Sequence, residues 1–255
     1  MKTLRVAPDG AGNPRLESLS LPFASAGPTA TTADREASPD PGTATAVRQA
    51  RAVTLPAGRT EPAGERRLFL VIAGVLDVTV PHMHARLGPG DVLFLDAPAE
   101  IRAATPCSYL EVEVDPGWLP VGTVPPALEE GRRSAAAAPQ LLRMFSDGEV
   151  AHLATFDELF APAPAQDVTA LSFVCLSPSM TSDWHTEAST SLLVVLAGGF
   201  EVEVGGRGGR RTLRAGDLCL VEDYEGQGHK SSSDGETRFA VLSLPRDHGW
   251  VTSPC

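Results

Sequence analysis

The sequence predicts an all-β chain built as two tandem β-barrels. Three observations carry this: an internal duplication, period-2 alternation of apolar and polar residues, and dense punctuation by 24 glycines and 22 prolines. Short alternating strands remove their exposed edges by closing into a barrel or a two-sheet jelly roll.

The duplication can be followed element by element. Leu4-Arg5-Val6 leads to Asp9-Gly10, and Leu142-Arg143-Met144 leads to Asp147-Gly148. Phe23-Ala24 answers to Phe160-Ala161. A long apolar strand then runs into glycine, from Leu68 to Gly74 in the first copy and from Leu192 to Gly198 in the second. Alternating strands follow, Leu76 to Val80 and Phe200 to Val204, and then a Gly-Asp strand start at Gly90 and at Gly216. Each copy closes with a strand ending at proline, Pro116 or Pro245. The first copy is longer between its Phe-Ala pair and its apolar strand. The surplus falls in the Ala/Thr/Pro tract from Thr29 to Ala46, which reads as an irregular surface segment. The organisation expected is a barrel over residues 1–118, a Pro/Ala-rich linker over 119–139 with a short helix or a flexible tether at Ser134–Ala138, and a second barrel over 140–255.

Composition excludes several classes. The net charge of −11 argues against nucleic acid and anionic membrane as partners, because the field repels phosphates. No apolar run approaches the roughly 18 residues of a membrane helix. The N-terminus has no apolar core of a secretory signal, and the four cysteines form no CxxC pair; a cytoplasmic chain with reduced thiols is the expectation. Cys175 and Cys219 fall inside expected strands and read as small buried apolar side chains.

The second copy holds the residues suited to chemistry. In Asp183-Trp184-His185-Thr186-Glu187, an extended backbone points His185 and Glu187 to the same side. Glu222-Asp223-Tyr224-Glu225-Gly226-Gln227-Gly228-His229 follows the second Gly-Asp strand, and its Gly-x-Gly allows a bend that aims His229 inward. Glu222 and Asp223 read as a general base, as a clamp on the His229 tautomer, or as a charged strand end facing water. Trp184 and Tyr224 read as an aromatic wall for a substrate or as a cover over the barrel mouth. His82 and His84 form an HxH pattern, but at a place matching a turn in the other copy, so they read as solvent-facing. His152 and His248 lack companions and read as surface residues.

These elements resemble the cupin superfamily, and the whole chain resembles a bicupin. Cupins hold a divalent metal inside the barrel with an HxH pair, a glutamate and a histidine from a second motif. On this sequence His185 matches the first histidine, Glu187 stands where the second should be, the glutamate position is Ser191, and His229 matches the last histidine. In the first copy the corresponding positions are Glu61 for His185, Arg67 for Ser191 and Ala103 for His229, so that barrel is expected to be structural.

Three readings of His185 and His229 are open. One is a divalent metal (Fe, Mn, Ni or Zn) on His185, Glu187 and His229, with positions left for substrate and O₂. A second is a metal-free acid–base pocket. The third is a barrel that only binds or senses a small molecule. The resemblance implies an enzyme acting on a small organic metabolite, in secondary-metabolite (polyketide-like) tailoring by isomerisation, cyclisation, elimination or metal-assisted oxygenation. The two barrels are expected to pack within one chain or to exchange contacts in a homodimer.

Overall fold

A computed structural model describes residues 1–26, 47–118, 138–156, 164–205 and 209–250. The tract from 29 to 46, most of the expected linker with its Ala run, and Phe160-Ala161 lie outside the described residues. Those that are described form strands and no helix. The N-terminal half contributes β1 (Thr3–Pro8), β2 (Pro14–Ser18), β3 (Phe23–Ala26), β4 (Val47–Leu55), β5 (Thr60–Ala63), β6 (Arg67–Ala73), β7 (Leu76–Val80), β8 (Met83–Leu87), β9 (Val92–Leu95), β10 (Ala99–Ala103) and β11 (Cys107–Val114). The C-terminal half contributes β12 (Leu141–Asp147), β13 (Val150–Thr155), β14 (Gln166–Asp167), β15 (Ala170–Leu176), β16 (Met180–Thr181), β17 (Thr190–Ala197), β18 (Gly199–Val204), β19 (Arg210–Arg214), β20 (Leu218–Glu222), β21 (His229–Ser233) and β22 (Thr237–Leu244).

The strands form two pairs of sheets. A seven-stranded sheet, β14-β4-β11-β6-β9-β1-β2, faces a four-stranded one, β5-β10-β7-β8. A second seven-stranded sheet, β13-β12-β20-β17-β22-β15-β3, faces β16-β21-β18-β19. This is a jelly-roll arrangement twice over. One strand in each large sheet comes from the other half of the chain: β3 runs parallel to β15, and β14 pairs antiparallel with β4.

The long apolar runs are explained by burial on both faces. In β6, Phe69 and Val71 point between the first pair of sheets, whereas Leu68, Leu70 and Ile72 point the other way. In β17, Val195 points inside the second pair, whereas Leu192, Val194 and Leu196 point outward. The outward sets meet in one shared core, joined by Phe173, Leu218, Leu242 and Trp250. Polar alternation is lost in these strands because neither face meets water. Each buried Leu, Ile or Phe contributes roughly 1.5–3 kcal/mol, so this shared core is a large part of the stabilisation.

The repeated Gly-Asp pairs have one structural role in both halves. The Asp91 carboxylate accepts hydrogen bonds from the backbone N–H of Lys2 and of Gly88. Asp217 does the same for Gln140 (2.6 Å) and Arg214 (2.8 Å). Each aspartate is fully buried; it closes the turn before β9 or β20 and ties down the residue that leads into the parallel neighbour, β1 or β12.

The two halves also touch reciprocally. Gly90, at φ +81°, lies against the backbone of Leu196, and Gly216, at φ +87°, lies against that of Ile72. Leu196 and Ile72 occupy equivalent places in the duplicated strands. Such exchange of equivalent contacts is the mark of packing about a two-fold axis.

Candidate functional site

Three side chains converge at one end of the second jelly roll. His185 and His229 exchange both backbone hydrogen bonds, His185 N to His229 O at 2.9 Å and the reverse at 2.8 Å. Their rings lie with centroids 4.2 Å apart, tilted by 53°. His185 Nε2 is 3.9 Å from Glu187 Oε1. One ligand atom from each of His185, Glu187 and His229 falls within 4.8 Å of the others; among the described residues this is the one group of three metal-ligating side chains. The two imidazoles are each 6% exposed and Glu187 is 31% exposed, so the cluster is enclosed on the histidine side and open on the carboxylate side.

Glycine makes this approach feasible. Gly228, at φ +68°, precedes His229, and a Cβ there would sit 1.9 Å from the His185 carbonyl oxygen. Gly226, at φ +75°, is pressed against the backbone of Glu149 at the tip of the β12–β13 hairpin. Only glycine combines this backbone conformation with so close a contact.

Hydrogen bonds fix both tautomers. His185 Nδ1 donates to the Asp183 carbonyl oxygen at 2.8 Å. His229 Nδ1 donates to Asp223 Oδ2 at 2.7 Å, and Asp223 is fully buried. With the proton on Nδ1 in each ring, both Nε2 atoms carry lone pairs, as a metal ligand or a general base requires. The remaining Asp223 oxygen, Oδ1, is buried without a hydrogen-bond partner. The donor set of two imidazole nitrogens and a carboxylate therefore fits a divalent transition metal.

The other residues singled out in the sequence lie around this cluster. Alternation along β20 sends Cys219 and Val221 to the barrel interior and Leu218 and Leu220 to the shared core. Asp223 continues the first row, and Glu222 the second. Neither faces water. Glu222 receives Arg143 Nε at 2.6 Å and His248 Nε2 at 3.0 Å. Tyr224 hydrogen-bonds through its hydroxyl to Thr190, on the face of β17 shared with Leu192, and Arg246 lies 4.3 Å over its ring. Trp184 is on the outside at 37% exposure, with Lys230 Nζ 5.0 Å over its ring. The structure thus brings His185, Glu187, His229 and Asp223 together, and sets Trp184, Tyr224 and Glu222 on other faces. Ser191 lies on the interior face of β17, opposite Val221.

His248 corrects the expectation of a surface residue without companions. Its side chain is 3% exposed and bonded to Glu222, which lies far away in sequence. His152 is half-buried and stacks on Phe145 at 5.1 Å. His82, in a turn, and His84, at the start of β8, are both exposed. Cys219 is buried and Cys175 half-buried. In the N-terminal half, Arg67 forms ion pairs with Glu111 and Glu113, and Glu61 faces Arg59.

The Glu222 cluster gives an acid-side prediction. Burial works to raise its carboxyl pKa, but the hydrogen bonds from His248 and Arg143 outweigh this and hold it below the ordinary value. A carboxylate whose folded pKa is depressed stabilises the fold fully above its unfolded pKa, about 4.5, and the contribution fades as pH falls through the lower folded value. Urea midpoints should therefore drop more steeply below pH 4.5 in the wild type than in Glu222→Gln. Parallel pH profiles would remove Glu222 from the acid response.

No family model matches the chain, and no curated protein matches it. Solved structures do. The cupin 2 conserved barrel domain protein from Leptotrichia buccalis is 11% identical, with 83% of this chain and 93% of that one covered, at a TM-score of 0.41. Salicylate 1,2-dioxygenase from Pseudaminobacter salicylatoxidans is 11% identical, with coverage of 78% and 71% and a TM-score of 0.36. Oxalate decarboxylase from Bacillus subtilis, which has Mn(II) centres, is 15% identical, with coverage of 79% and 74% and a TM-score of 0.30.

Among the described residues no helix is long and apolar enough to cross a membrane.

Proposed function

We propose that the protein is a two-barrel cupin whose C-terminal barrel is a metal-dependent enzyme acting on a small organic metabolite. The observation that carries this reading is the convergence of His185, Glu187 and His229, with Nδ1 of each imidazole already hydrogen-bonded so that Nε2 is the nitrogen left to bind. His185, Glu187 and His229 would hold a divalent ion, which would supply Lewis-acid or, as iron, oxygenation chemistry to a small substrate. Glu187, on the open side, neutralises part of the ion's charge. Asp223 keeps the His229 proton on Nδ1 and strengthens Nε2 as a donor. The buried imidazoles exclude water from one side, so substrate approaches from the side of Glu187.

A second reading is favoured by the 2.7 Å Asp223–His229 bond. A histidine oriented by a buried carboxylate is a general base without any metal, suited to isomerisation, cyclisation or elimination. Both readings place the chemistry in the C-terminal barrel, leave the N-terminal barrel as its packing partner, and suit secondary-metabolite tailoring in the cytoplasm.

Titration of the metal-stripped full chain with Fe(II), Mn(II), Ni(II) and Zn(II) tests the first reading. Near-stoichiometric uptake of one ion, lost in His185→Ala, is expected. Uptake no greater than that of the His185→Ala variant for all four ions would leave the acid–base reading.

A further inference from the structure

The segment that follows β22 touches both loops of the cluster. Arg246 donates through its guanidinium NH2 group to the carbonyl of Ala188, next to Glu187, at 3.1 Å. The same guanidinium covers the ring of Tyr224, next to Asp223. Two residues on, His248 donates from Nε2 to Glu222, on the other side of Asp223. The His248 tautomer is set by the backbone two residues on, because Nδ1 accepts from Trp250 N–H at 3.4 Å. One short stretch of chain thus grips the Glu187 loop at Ala188, the Asp223–His229 loop at Tyr224 and the end of β20 at Glu222.

Its far end is anchored elsewhere. Trp250 is buried in the core shared by the two halves. Gly249 N–H donates to Gln166 Oε1 at 2.9 Å. Gln166 lies in β14, the strand paired with Ala50 of β4 in the N-terminal sheet. The stretch therefore runs from the cluster to the contact between the halves.

We propose that residues 245–250 are a positioning strap for the metal centre, with Arg246 and His248 as its working residues. The strap holds the loop of Glu187 against the loop of Asp223 and His229, so that the three ligands converge on one ion. Through Trp250 and Gln166 it makes that convergence depend on how the halves are packed. His229 opens β21 beside Val204 of β18, whereas the segment of His185 and Glu187 meets it only through the isolated bridge and a hydrogen bond from Glu187 N–H to Asp223 O at 3.2 Å, so that segment gains most from side-chain contacts that fix the ligand atoms. This inference rests on the metal reading given above.

The test is Co(II) titration of the full chain, followed by visible absorption and by thermal unfolding without metal. His248→Leu removes the donor to Glu222, whereas His248→Gln keeps an amide N–H there. Arg246→Met removes the guanidinium from Ala188 and Tyr224 at an exposed position, where loss of folding is not expected. His248→Leu and Arg246→Met should each weaken Co(II) binding about tenfold or more and alter the visible bands. His248→Gln should stay near wild type in both. If the wild type binds Co(II) and the Leu and Met variants match its affinity and spectrum, the strap has no positioning role. Affinities that fall only in proportion to thermal stability, with unchanged bands and no rescue by Gln, also overturn it. Absence of Co(II) binding by the wild type overturns the metal reading itself, and the strap's role with it.

Discussion

Asp223→Asn is expected to weaken divalent-metal binding about 10- to 100-fold while leaving the fold intact, and His229→Ala to abolish binding. The separation of the two effects follows from the burial of Asp223. Its Oδ2 accepts the His229 Nδ1 proton, but Oδ1 has no partner, so the ionised carboxylate is incompletely compensated in the interior. A neutral amide of the same shape lowers that desolvation cost, and stability is expected to hold or rise. The ligand nitrogen is affected differently. An amide N–H turned toward Nδ1 forces the proton to Nε2 and removes the lone pair available to a metal. An amide oxygen turned toward Nδ1 keeps the tautomer but withdraws the negative charge that makes Nε2 a strong donor. Both orientations lower metal affinity. Calorimetric titration with Zn(II), read beside thermal unfolding of the metal-free protein, separates affinity from stability. Equal affinity in Asp223→Asn and wild type would show that this carboxylate does not tune the centre.

The cluster itself was legible in sequence because each of its parts has a local signal. His185 and Glu187 are two apart, and Gly226 and Gly228 mark the bend before His229. What sequence proximity could not resolve is the side on which each neighbour falls. Trp184 and Tyr224 adjoin His185 and Asp223 in the chain, and on extended backbone adjacency means opposite faces. The same alternation separates Glu222 from Asp223, sending one to Arg143 and His248 and the other to His229. His248 carried no signal at all, since its partner Glu222 lies 26 residues away in sequence and only the path of the strap brings them together. The strands of the duplication were evident from Leu68–Gly74 and Leu192–Gly198. Their unbroken apolar character also shows burial on both faces, though not that the second face belongs to a core shared between the halves. Nor does any local pattern reveal that β3 and β14 each join the sheet of the other half, because a strand's sequence specifies its fit to a pleated surface and not its neighbour.

Gly90→Ala and Gly216→Ala should each destabilise the protein by about 3 kcal/mol or more, through contact between the halves. Both glycines have positive φ, and a left-handed alanine alone costs roughly 1–2 kcal/mol. The added Cβ would then lie 2.0 Å from Leu196 O in the first variant and 2.4 Å from Ile72 O in the second. Those oxygens belong to β17 and β6, backbone held in central strands of the two large sheets, so neither can yield locally. Relief must come from moving one sheet away from the other, which loosens the packing of Leu68, Leu70, Ile72, Leu192, Val194 and Leu196. Gly10→Ala is the matched control, since its Cβ would meet nothing within 4 Å. Denaturant unfolding with fluorescence and circular dichroism as separate probes should show a lower midpoint in both core-contact variants. If the halves come apart first, the two probes should cease to coincide. A Gly216→Ala protein as stable as Gly10→Ala would mean that the two sheets are not in close contact at that turn.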